Sequence, residues 1–126
     1  MWVEDAAALA EHPDAISEPV EAVRAGRVRV AVDDRGVIVG FLVVVIAAAD
    51  SWELDDLFVE PTLMRRGIGR DLVADLWQRA KAAGIRKVQV TANSNAVGFY
   101  ERMGFVDIGE VVATRFRPAT RMERNV

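Results

Sequence analysis

The 126 residues suffice for a single domain with one core, and 52% hydrophobic against 28% charged residues is the balance of a folded chain rather than a disordered one. A net charge of −3 argues against a generally basic nucleic-acid footprint. The lack of cysteine excludes disulfides, thiolate zinc sites and a cysteine nucleophile together, and it fits a reducing compartment.

The opening "MWVEDAAALAEHPDAISE" carries neither a basic start nor an apolar block before a small-residue cleavage site, so it does not read as a secretory signal. No strand is expected ahead of Ala15. From Ala15 to Arg27 the pattern predicts a short amphipathic helix closed by Gly26. The single His12, in a polar Pro-flanked segment with no second His or Cys, reads as a surface residue.

"VRVAVDDRGVIVGFLVVVIA" predicts two strands around a turn at Asp33-Asp34-Arg35-Gly36; the two aspartates there are turn chemistry, not a metal site. The second strand is so apolar that both of its faces should be covered. Its apolar run, "VIVGFLVVVIAAA", is 13 residues, too short to cross a bilayer as a helix. The expectation is a soluble, cytoplasmic protein without a membrane partner. A third strand, roughly Trp52 to Val59, stops at Pro61.

After two arginines and two glycines, Ile68, Leu72, Val73, Leu76, Trp77 and Ala80 form one helical stripe, ended by Gly84. "RKVQVTA" is the next strand. The strand–helix–strand unit from Trp52 to Ala92 therefore predicts a parallel pair with a right-handed crossover. "NSNAVGFYERMG" reads as a short helix with Asn93 or Ser94 as cap and Gly104 as stop, and "FVDIGEVVATRF" and "TRMERNV" as closing strands. With no repeat or linker, the prediction is one α/β domain over residues 1–126.

The stretch "LFVEPTLMRRGIGRDLVADL" brings bare backbone and positive charge to a strand-to-helix junction. Amides at a helix start lack intrahelical partners, and the helix dipole makes that end positive. Gly67 and Gly69 remove side chains that would keep a pyrophosphate away, while Arg65, Arg66 and Arg70 attract it. The competing reading is a tight turn with solvated arginines. A dinucleotide fingerprint requires a third glycine where Leu72 stands, and a nucleotide-triphosphate loop requires Lys-Ser/Thr where Arg70-Asp71 stands, so neither fits.

"MRRGIGRDL", followed further on by "NSNAVGFYERMGF", resembles the GNAT superfamily of acyl-CoA-dependent N-acetyltransferases. The family signature is Arg/Gln-x-x-Gly-x-Gly/Ala, and later Asn-x-x-Ala-x-x-Phe-Tyr with Gly-Phe three residues on. Asn93, Ala96, Phe99, Tyr100, Gly104 and Phe105 match the second block; Met64 departs from the first. The resemblance spans about Val28 to Val112. It implies a mixed, mostly antiparallel sheet with a central splayed parallel pair flanked by helices, and an abbreviated N-terminal part.

It further implies that acetyl-CoA is the co-substrate and that no metal takes part. The main chain of Leu57, Phe58 and Val59 would meet pantetheine. Met64, Arg65, Arg66, Gly67, Ile68, Gly69 and Arg70 would hold the pyrophosphate, with Asn93 also on the cofactor. The Leu57 amide would serve the oxyanion. Tyr100, the sole tyrosine, stands where the family places its general acid, although a phenol's reference pKa of about 10 makes outright proton transfer to a thiolate uphill. A core aromatic is the plainer reading. Glu53, at the offset of the glutamate base in the histone-type branch, is the base candidate, against the alternative of a strand-end surface charge.

Acid at this end of the strand favours a cationic amine acceptor. The implied activity is direct acetyl transfer from acetyl-CoA to a primary amine, and the alternative is a non-catalytic acyl-CoA-binding or sensing module. Closing-strand pairing in the family leaves a homodimer open. Arg115, Arg117, Arg121 and Arg124 lie close in sequence, as a patch for RNA or an acidic partner or, more plainly, a solvated strand face; no nucleic-acid partner is expected.

Overall fold

The structure, a computed structural model, describes residues 2–5, 27–113 and 118–126. Seven strands are present among them: β1 (Trp2–Asp5), β2 (Val28–Val32), β3 (Ile38–Ala48), β4 (Ser51–Val59), β5 (Lys87–Ala92), β6 (Val106–Val112) and β7 (Ala119–Asn125). Two α-helices, α1 (Ile68–Ala82) and α2 (Val97–Arg102), lie on either side of β5 in sequence. Hydrogen-bonded neighbours run in the order β1-β2-β3-β4-β5-β7-β6. All of the Ala15–Arg27 helix except Arg27 falls on residues outside those described, as do His12, Arg115 and Arg117.

Two compact units divide the chain, the first from Met1–Val44 and Asp56–Leu76, the second from Val45–Asp55 and Trp77–Val126. In the first, β2 and β3 form the expected hairpin, registered from Val28↔Val43 to Val32↔Ile38. Its turn is held by Asp33, whose Oδ1 accepts from the amides of Arg35 at 2.8 Å and Val37 at 3.0 Å. The bond from Val37 leads in holding the Asp33 carboxyl below its usual range. Gly36, at φ 80°, supplies the left-handed residue that the turn needs.

β1 is a strand that the sequence reading did not expect. It pairs antiparallel with β2 from Trp2↔Val32 to Asp5↔Arg29. Four residues beside a helix-favouring alanine run carry too little local signal; the open edge of β2 decides their conformation.

The inward faces of this hairpin, Val28, Val30, Val32 and Val43, are buried almost completely, and Ile38 and Phe41 pack on them. Gly40 on β3 sits under the first turns of α1. A Cβ there would lie 2.8 Å from the Phe58 carbonyl, 3.1 Å from Ile68 and 3.3 Å from Leu72. Arg29 and Asp75 join β2 to α1 through two bonds of 2.8 and 2.9 Å.

In the second unit, β4 and β5 are parallel, registered from Ser51↔Lys87 to Leu54↔Val90, as the strand–helix–strand pattern predicted. β5 pairs antiparallel with β7 along its whole length. Both glycine stops close their helices by the same device. Ile85 donates to Ala80 and Gly84 to Lys81, and Phe105 donates to Tyr100 and Gly104 to Glu101, so each glycine sits at the left-handed position of a Schellman motif. Along α1, the predicted stripe holds: Ile68, Leu72, Val73, Leu76 and Ala80 are buried and Trp77 is half-buried.

Candidate active site

The junction after β4 explains itself from the residues upward. Pro61 fixes a backbone angle and stops the strand, and Pro61–Leu63 form one 3-10 turn. The amide of Glu60 donates to the Val39 carbonyl at 2.8 Å and anchors the turn to β3. Arg65 then adopts φ 68° and Gly67 φ 83°. Arg65 is the one non-glycine residue with positive φ among those described, a conformation that costs about 1–3 kcal/mol.

Gly67 is the cap of α1, because its carbonyl accepts the first helical bond, from Asp71 at 2.9 Å. Serine or aspartate at that position would turn an oxygen back onto the helix's first amides. Glycine has none to offer. Among the described residues, the amides of Ile68, Gly69 and Arg70 thus have neither a helical carbonyl nor a side chain of the capping residue to bond, at the positive end of a 15-residue helix.

Around these amides Met64, Arg65, Arg66 and Arg70 are exposed, whereas Ile68 is buried and pins the helix start. Arg70 bends back over the turn, its Nη2 lying 2.8 Å from where a Gly67 Cβ would stand. It also faces Asp71 at 3.7 Å, a solvent-exposed pair worth little. On β4, Leu57 and Val59 are half-buried and Phe58 is exposed, with its ring stacked on Phe41 at 5.4 Å.

The second unit holds the remaining sequence-derived residues. Tyr100 is buried on α2, edge-on to Phe99 at 5.3 Å and to Phe105 at 5.2 Å. Its ring is therefore a core aromatic, as the plainer reading had it; that leaves the role of the hydroxyl as a separate question. Asn93 Oδ1 accepts from the amides of Asn95 and Ala96, both at 3.0 Å, and so caps the turn that leads into α2.

Glu53 is not a loose surface carboxylate. Arg121 Nη1 donates to its Oε1 at 2.6 Å and Nη2 to its Oε2 at 3.2 Å. Arg121 also donates to Thr91 Oγ1 at 2.8 Å. The bonds to Glu53 push the guanidinium's pKa further up, with Glu110 and Glu123 adding to the effect.

This corrects the view of Arg121 and Arg124 as one patch or one solvated face. Three residues apart on a strand, they point to opposite sides. Arg124 lies over the Trp77 ring at 4.1 Å and donates to the Met103 carbonyl at 3.1 Å. Arg121 was missed as a site residue because only the strand order sets it near Glu53. Among the described residues, no group of three or more His, Asp or Glu is arranged to hold a metal, and no helix is long and apolar enough to cross a membrane.

The family model for the acetyltransferase (GNAT) domain matches residues 8–126. The chain belongs to the GNAT acetyltransferase family. It is 31% identical over 52 residues to glucosamine 6-phosphate N-acetyltransferase of Trypanosoma brucei brucei, a match covering 41% of this chain and 35% of that relative.

Nourseothricin acetyltransferase superposes with a TM-score of 0.68 at 26% identity, over 78% of this chain and 64% of its own. PaiA N-acetyltransferase of Thermoplasma acidophilum, solved with coenzyme A, gives 0.65 at 25% identity, over 79% and 60%. Rv2747 of Mycobacterium tuberculosis, also solved with CoA, gives 0.76 over 100% and 99%; at 20% identity it speaks to the fold alone. The mixed sheet with its parallel pair is the fold of these proteins.

Proposed function

We propose that this chain moves the acetyl group of acetyl-CoA to a primary amine, by direct attack of the amine in a ternary complex. The observation that carries the reading is the glycine-capped start of α1, whose three uncapped amides and flanking arginines suit a pyrophosphate. Family membership supplies the co-substrate class.

On this reading the segment from Met64 to Arg70 grips the diphosphate. The main chain of Leu57, Phe58 and Val59 bonds to pantetheine as an added strand, and Asn93 borders the cofactor. The Leu57 amide stabilises the tetrahedral oxyanion, Tyr100 assists the departing thiolate, and Glu53 takes the amine's proton through water. Glu53, with exposed Asp55 and Asp56 beside it, favours a cationic acceptor. The relatives named above act on glucosamine 6-phosphate and on nourseothricin, so a small polar acceptor fits. A cytoplasmic location fits the cysteine-free sequence, and pairing of two copies along β6 fits its exposed Val106 and Val111.

A second reading, an acyl-CoA-binding module without transfer, draws on the same Glu53: both of its oxygens are taken by Arg121. Release of free CoA thiol from acetyl-CoA, screened over peptides, polyamines, amino sugars and amino acids, separates the two. Transfer is expected for at least one acceptor. Tight acetyl-CoA binding with no thiol release from any of them would establish the module instead.

Gly67→Val provides the check on the binding half. A branched side chain at φ 83° is strained, and its bulk would stand over the uncapped amides. Calorimetry should show acetyl-CoA affinity falling by about tenfold or more, equal to about 1.4 kcal/mol. A variant that melts earlier yet binds acetyl-CoA as tightly as the parent would place the pyrophosphate elsewhere.

A further inference from the structure

We propose that Arg121 is a positioning residue for acetyl transfer, holding Glu53 in one orientation, rather than a strut that only ties β7 to β4. The proposal rests on the acetyltransferase reading with Glu53 as base. Its starting point is the reach of the side chain. Adjacent strands lie about 4.8 Å apart, and β5 stands between β7 and β4, so the Arg121 and Glu53 side chains together bridge two strand spacings along the sheet face. Thr91, paired with Arg121 in register, supports it midway with a hydroxyl oxygen at 2.8 Å.

Strand cohesion does not account for this arrangement. β5 and β7 are already joined through six registered pairs, from Lys87↔Asn125 to Ala92↔Thr120, and β4 to β5 through four. A partly exposed ion pair adds little to such a ladder. Two acids nearer in sequence, Glu110 and Glu123, also act on Arg121, yet its two-pronged contact goes to Glu53.

The strand beside it is shaped around this residue. Asp107 pairs with Met122 and Val111 with Thr120, so Ile108, Gly109 and Glu110 together stand opposite Arg121 alone. Gly109 at φ 80° makes the bulge, and its amide donates to Asp107 Oδ1 at 2.7 Å. Bulges of this kind re-aim side chains beside working sites.

The chemistry follows from counting lone pairs. A carboxylate offers about four acceptor positions, and the Arg121 fork occupies one on each oxygen. The remaining positions keep a fixed direction. During transfer the acceptor's ammonium passes one proton through water to such a position, and the neutral nitrogen keeps its electron pair for the acyl carbon. Arg121 touches neither substrate nor reacting atoms; it acts through Glu53.

The test is a double-mutant cycle on thiol release, using the amine found in the screen, with acetyl-CoA affinity and melting temperature measured alongside. Arg121→Gln is expected to lower kcat about ten- to a hundredfold with acetyl-CoA affinity unchanged. Arg121→Lys should recover part of the loss, since it restores charge without the fork. In a Glu53→Gln background, Arg121→Gln should cost nothing further.

Equal losses from Arg121→Gln in both backgrounds, or a lower melting temperature with kcat intact, would overturn the proposal. Should Arg121→Gln fail to fold, Arg121→Lys and Thr91→Val carry the same comparison. Wild-type protein that transfers to no amine defeats the parent reading and this one together, whereas transfer that survives Arg121→Gln defeats this one alone.

Discussion

Tyr100→Phe is expected to lower acetyl transfer about 10²-fold or more, and to lower it more than it lowers acetyl-CoA affinity. The substitution removes one oxygen and keeps the ring. That ring is what Phe99 and Phe105 touch edge-on at 5.3 and 5.2 Å, so core packing survives. A hundredfold loss corresponds to about 2.7 kcal/mol of barrier, the scale of one lost hydrogen bond to developing charge. Steady-state kinetics and calorimetry on the same preparation decide it. If turnover and cofactor affinity fell by the same factor, Tyr100 would be a scaffold residue only.

Gly40→Val should produce the largest loss of stability. The obstacle is the Phe58 carbonyl, 2.8 Å from the new Cβ, and main chain cannot swing aside as a side chain does. Ile68 and Leu72, at 3.1 and 3.3 Å, block the remaining directions. Overpacking of this kind costs about 1–3 kcal/mol or somewhat more, which lowers the melting temperature by about 10 °C in a chain of this size. Because Ile68 is the first residue of α1, whatever relieves the clash also shifts the helix start. A melting temperature within a degree or two of the parent would mean that β3, β4 and α1 meet less tightly than these distances say.

The parts of the fold legible in the sequence are those fixed by near neighbours. Asp33 and Gly36 announce the hairpin because a turn closes over four residues, and Gly84 and Gly104 announce helix ends because a left-handed residue is required at one place. The spacing of Ile68, Leu72, Leu76 and Ala80 gives the buried face of α1 for the same reason. β1 was not legible, since its partner lies beyond a long intervening segment.

The candidate site divides along the same line. The uncapped amides at Gly67 follow from one glycine at one helix start. The clamp on Glu53 does not, because it joins residues 68 apart through a strand order that no local pattern encodes. Arg121 and Arg124 look alike in the string, and only the alternation of β7 sends one to an acid and the other to an indole.

That same separation sets an order of assembly. The β2–β3 hairpin closes over a few residues and can form early, as does α1. The Arg29–Asp75 contact, 46 residues apart, must wait for both, and the pairing of β4 with β5 waits for α1 to complete the crossover. β7 follows β4, β5 and β6 in sequence, so the clamp on Glu53 comes into being only after all of these have been synthesised. A nascent chain on the ribosome would carry the glycine-capped turn at Gly67 well before it carried the contact between Glu53 and Arg121.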